Sequence, residues 1–213
     1  MNSDILKWRI IILGGVGLIL FFIYTITMDF YKTRDELQGK AYSTAELIEV
    51  FYDKKVKIYE LKKYFNEIIP KDRKIEIEFE NDNLLSRLGI YFDTIAVNQV
   101  YGPTELHPIF LGWDLRINSP KTDSLISILG WNQTTLKKLK EKLDDANCIS
   151  ISNCSLIEPN KPIDIGFERN FMGLYYFKIF DKHIPDSLKN YYNKGHYTFI
   201  NDTLVLECAT GAI

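Results

Sequence analysis

The sequence predicts an α+β fold: a single N-terminal transmembrane helix, then a soluble domain with a mainly antiparallel β-sheet and flanking helices. Three observations predict it. Residues 10–28, IIILGGVGLILFFIYTITM, contain no charged side chain. The last third of the chain is a series of short apolar runs separated by turn residues, at the spacing of hairpins. Between them lie amphipathic stretches that begin with capping residues and stop at glycine or proline.

As a helix rising about 1.5 Å per residue, the uncharged run spans roughly 28 Å, close to the hydrocarbon thickness of a bilayer. Trp8 precedes it, and Tyr24, Phe30 and Tyr31 sit at or beyond its far end, where interfacial aromatics lie. The following Met28-Asp29-Phe30-Tyr31 offers no small-x-small cleavage site, so the segment reads as an uncleaved anchor. Lys7 and Arg9 on one side nearly balance Lys32, Arg34 and Lys40 on the other. The short N-terminal tail favours a cytoplasmic N-terminus and an extracytoplasmic domain. The expected organisation is a tail and anchor over 1–28, a juxtamembrane linker over 29–42 and an α+β domain over 43–213.

In the domain, Ser43 and Glu46 form a capping-box pattern at the start of a helix that runs to 69, before Pro70. Its Leu47, Phe51, Ile58, Leu61, Phe65 and Ile68 follow a broken seven-residue repeat, which suits an amphipathic helix packed on the domain better than a dimeric stalk. Ile75–Glu80 alternates strictly and predicts a half-buried strand, with Glu76, Glu78 and Glu80 on one side. Residues 84–97 suggest further strand, and 98–111, with Pro103 and Pro108, a long connection. Ser119-Pro120 opens a helix closed at Gly130, and Leu136, Leu139, Leu143 and Ala146 stripe a second helix over 134–146. Strands are expected over 148–152, 163–167, 174–180, 197–200 and 203–207, with a short helix over 187–193.

Composition is ordinary for a globular protein and excludes collagen-like, disordered and disulfide-dense chains. A net charge of −2 gives no general basic field for nucleic acid. No zinc-type spacing, HExxH, GxSxG or phosphate-loop motif is present, so no metal, cofactor or catalytic set is assigned. Cys148 and Cys154 are close enough in sequence for a disulfide if the domain is exported. The glutamate row suits a cationic partner, and the connection supplies Tyr101 and His107, with Trp113 just after. Partner binding is therefore expected at Glu76, Glu78, Glu80, Tyr101, His107 and Trp113.

These features lead to a membrane-anchored binding or accessory module, either of the inhibitor or immunity type or a small subunit of an envelope complex. Its partners are the bilayer, through 10–28, and a protein. Two alternatives stay open. One is an enzyme assembled around His107 and Asp114. The other follows from residues 119–168, where two helices joined by Gly130-Trp131-Asn132 precede two strands: this order resembles a helix-turn-helix with a wing and would imply a membrane-tethered regulator, with Lys137, Lys138, Lys140 and Lys142 facing phosphates. Asp144, Asp145 and Glu141 on the same helix argue against nucleic acid.

Overall fold

The computed structural model describes residues 21–28, 42–92, 108–154, 162–170 and 173–209. The chain divides into two compact units, Met1–Ala41 and Tyr42–Ile213. In the first, residues 21–28 are helical (α1) with mostly exposed side chains. Among the described residues no helix is long and apolar enough to cross a membrane. Residues 10–20 of the expected span lie outside the described residues.

The second unit is α+β, with a mainly antiparallel sheet and flanking helices. It opens with α2 (Thr44–Ile68), where the capping box is complete: Ser43 Oγ accepts from the Glu46 amide and Glu46 accepts from the Ser43 amide. Leu47, Phe51, Ile58, Leu61 and Phe65 are buried in the domain's own core. The broken repeat is thus the inner stripe of a packed helix. Hairpin β1 (Arg73–Asn81) and β2 (Leu84–Phe92) follows. Next comes β3 (Pro108–Arg116), which corrects the expected connection over 98–111. Its last four positions belong to a strand, because Phe110 and Leu111 pair with Ile90 and Gly89 of β2. Pro108 stands at the first position of an edge strand, where a missing N–H breaks no ladder. Residues 93–107 lie outside the described residues.

Helix α3 (Pro120–Ser127) is capped by Ser119, and α4 (Gln133–Asp145) by Asn132. Gly130 between them takes φ 69°, a left-handed conformation that favours glycine. Leu136, Leu139 and Leu143 of α4 are fully buried. Trp131 Nε1 donates to the Ile68 carbonyl at 2.8 Å, satisfying one of the acceptors left open at the C-terminus of α2. Then come β4 (Ser150–Ser152), β5 (Ile163–Asn170), β6 (Gly173–Ile179), α5 (Asp186–Lys189) with a 3-10 turn (Tyr191–Asn193), β7 (Tyr197–Asn201) and β8 (Leu204–Ala209).

The strands form one sheet in the order β3-β2-β1-β4-β5-β6-β8-β7. Successive residues point to opposite faces. One face carries Ile75, Ile77, Ile90, Ile151, Ile165, Phe177 and Leu206 into the main core, with α2, α3 and α4. A smaller cluster of Phe180, Ile184, Tyr192 and Val205 lies near the β7–β8 end. Each of these large apolar side chains contributes about 1.5–3 kcal/mol by leaving water.

Candidate functional site

The glutamates expected to look outward sit on the second face of the sheet, and strand register extends them into two rows of polar groups. In the first row Trp113, Arg87, Glu78 and Ser150 lie opposite one another on β3, β2, β1 and β4. The row continues as Gly166, Tyr176, Glu207 and Tyr197 on β5, β6, β8 and β7. The second row holds Glu76, Ser152, Asp164 and Lys178 on β1, β4, β5 and β6.

The charges in these rows answer one another. Arg87 reaches Glu76 at 3.1 Å, and Arg169 reaches Glu78 at 2.6 Å. Lys178 lies 2.8 Å from Asp164 and 3.4 Å from Glu207, and His196 lies 3.7 Å from Glu207. Glu78 and Lys178 are buried. The expected outward row is therefore largely internal: Glu76 and Glu78 meet cations of their own chain, and Glu80 alone of the three is exposed. The physical reason is position, because β1 is a central strand flanked by β2 and β4.

Burial pushes the Glu76 carboxyl above the usual carboxylate range, with Arg87 opposing and Glu78 and Asp164 adding to the rise. Burial raises Asp164 in the same way against Lys178. Tyr176 rises too, through burial first and then through Glu76, Glu78, Asp164 and Glu207 around it. It stays a phenol, able to donate among carboxylates. Ser150 Oγ is buried with no hydrogen-bond partner. The arrangement provides a layer of paired charges, with Lys178 shared between Asp164 and Glu207; among the described residues no group of His, Cys, Asp and Glu is placed to hold a metal ion.

Trp113 stands at the end of the first row on edge strand β3, where it is 58% exposed, and Phe92 at the end of β2 is exposed as well. Glu78, Glu80, Ser86 and Arg169 line a hollow of about 410 Å³ at this side of the sheet. Asp114 is exposed beside Trp113 with φ 53°. Tyr101 and His107 lie outside the described residues.

The bridge considered for Cys148 and Cys154 is not formed, and both are free thiols. Cys148 belongs to the main core, whereas Cys154 lies among second-face groups, near Glu76, Lys74 and Asp164. Burial pushes each thiol up to about 12. Three of the four lysines of α4 that could have faced phosphates have partners of their own: Lys140 bonds Asp144 at 2.6 Å and Asp82 at 3.1 Å, Lys142 lies 3.6 Å from Glu60, and Lys138 sits over the Tyr64 ring.

Arg87, Arg169, Asp164, Lys178 and Glu207 were not among the expected site residues. Their signal in the sequence is weak but physical: Lys178 and Glu207 are single charges inside otherwise apolar strands, and Asp164 interrupts the apolar start of β5. A lone charge in such a run indicates an internal partner. Comparison of the chain with protein-family models, with curated proteins and with solved structures finds no match.

Proposed function

We propose that the chain is a single-pass membrane-anchored α+β binding or accessory module, an inhibitor or immunity-type protein or a small subunit of an envelope complex. Residues 10–28 hold it in the bilayer, with the N-terminus in the cytoplasm and the head outside. The observation that carries the reading is Trp113, a large aromatic more than half exposed on a nine-residue edge strand that, among the described residues, pairs only with β2. An exposed tryptophan on an unpaired strand edge is the kind of group that anchors a protein interface. Exposed Glu80 adds a charge able to steer a cationic partner. Glu76 and Glu78 support this surface from within by fixing Arg87 and Arg169.

The test uses the full chain in its native membrane. It is expected to stay in the pellet after an alkaline carbonate wash and to be cleaved by protease added outside intact cells. Chemical crosslinking is expected to give one discrete species. The double variant Trp113→Ala/Glu80→Lys lowers its yield about tenfold or more, at an unchanged melting midpoint. Release by carbonate refutes the anchor. A crosslinked species indifferent to the double variant refutes the surface.

A further inference from the structure

At the junction of α2 and β1 the chain turns through Pro70, and the Arg73 amide closes the turn on the Pro70 carbonyl at 3.1 Å. The turn brings Lys71, Arg73 and Lys74 to one hollow of about 260 Å³, lined also by Asn66, Asn153 and Asp181. Asp181 does not neutralise it, since Lys62 holds that carboxylate at 2.6 Å. Lys71 is exposed and has no carboxylate partner among the described residues. Arg73 is held in place from two sides. Its Nη1 bonds Asp72, and its guanidinium lies over the Phe92 ring, 5.0 Å from the centroid. Its Nε is a buried donor with no acceptor. A guanidinium fixed by Asp72 and Phe92, beside Lys71 with no carboxylate partner among the described residues, leaves the lining of the hollow with an excess of positive charge.

From this geometry we propose that the hollow binds the phosphate end of a phosphomonoester, with Lys71 and Arg73 as its contacts. Size supports a terminal group over a whole nucleotide, because pockets for complete small molecules run from roughly 300 to 1,000 Å³. A second hollow, of about 550 Å³, shares Asn66 and Asp181 with the first and is lined by Tyr59, Lys63 and Phe180. It can take the organic part. The cations stand out against an acidic chain of net charge −2, so they are a local feature and not part of a general basic field. A soluble phosphomonoester and a phosphate head group at a bilayer offer the same chemistry.

The test is calorimetric titration of the full chain, in uncharged detergent, with inorganic phosphate at constant ionic strength. Saturable binding is expected. Lys71→Gln weakens it several-fold, and Lys71→Gln/Arg73→Gln about tenfold or more. Lys57→Gln, an equal charge change on the exposed side of α2, leaves it unchanged. Adding phosphatidic acid to the detergent micelles separates the two sources: competition with phosphate that the double variant abolishes identifies a head group, and phosphate binding that the lipid leaves unchanged identifies a soluble ligand. Absence of saturable phosphate binding overturns the proposal. So does an equal effect of Lys57→Gln and Lys71→Gln. The single Lys71 variant keeps the test decisive if loss of the Arg73–Phe92 contact disturbs folding.

Discussion

Lys178 shows how a single side chain holds the polar face together. It lies near the end of β6, buried, with Asp164 on one neighbouring strand and Glu207 on the other. Two carboxylates share this ammonium, so removing it leaves two negative charges in a poorly solvated place. Coulomb repulsion then adds to an unrelieved desolvation cost. Lys178→Met keeps most of the volume and removes only the charge. It is expected to lower unfolding stability by about 3–5 kcal/mol, measured from urea midpoints. A loss below about 1 kcal/mol would mean that the two carboxylates are solvated or protonated without the lysine. Exposed pairs such as Lys57–Glu60 carry no comparable weight, because water and salt screen them.

At the scale of elements, β4 and β5 approach through one missing side chain. A Cβ on Gly166 would stand 1.9 Å from Ser150 Oγ and 2.8 Å from Leu174 Cδ2. Gly166→Ala is therefore expected to destabilise the head by about 1–3 kcal/mol. Ser150→Ala removes an oxygen that has no partner, and in the double variant it recovers part of that loss. Strictly additive urea midpoints in this two-variant cycle would show that Leu174 alone sets the contact. The same strand pair marks where sequence reading stops. The alternation in Ile75–Glu80, the Ser43 and Ser119 caps and the leucine stripe of α4 were legible, because each is a local pattern answering to a local period. The pairing of β1 with β4, distant in sequence, was not, and neither was the placement of β8 between β6 and β7. Those depend on which apolar faces meet across the fold. The polar rows share that limit: Glu78, Ser150, Tyr176 and Glu207 sit on four separate strands, and only register makes them one feature.

For the whole head, half-buried carboxylates on the second face of the sheet oppose the usual response to acid. Glu76 and Asp164 have folded-state values raised above the ordinary carboxylate range, burial being the larger cause and Arg87 and Lys178 the smaller, opposing one. Below the unfolded-state value both groups are protonated in either state. As pH rises, the unfolded chain gives up these protons first and the folded chain holds them longer. The stability they contribute is present at the acid side and is lost as pH rises through the folded values. Glu60 and Asp202 act the other way: Lys57 and Lys189 hold them below the ordinary range, so their contribution falls as pH drops. Glu60 is exposed and the Asp202 side chain is about half exposed, and about 1 M salt shortens the screening length to roughly 3 Å and suppresses both contributions. In high salt the urea midpoint of the head is therefore expected to decline from about pH 4 upward, through the raised values, before levelling. Asp164→Asn cannot ionise and should flatten that decline while leaving the exposed pairs intact. A midpoint that climbs steadily over the same interval, unaltered by Asp164→Asn, would place Asp164 and Glu76 in water and dissolve the polar layer on which the second face of the sheet depends.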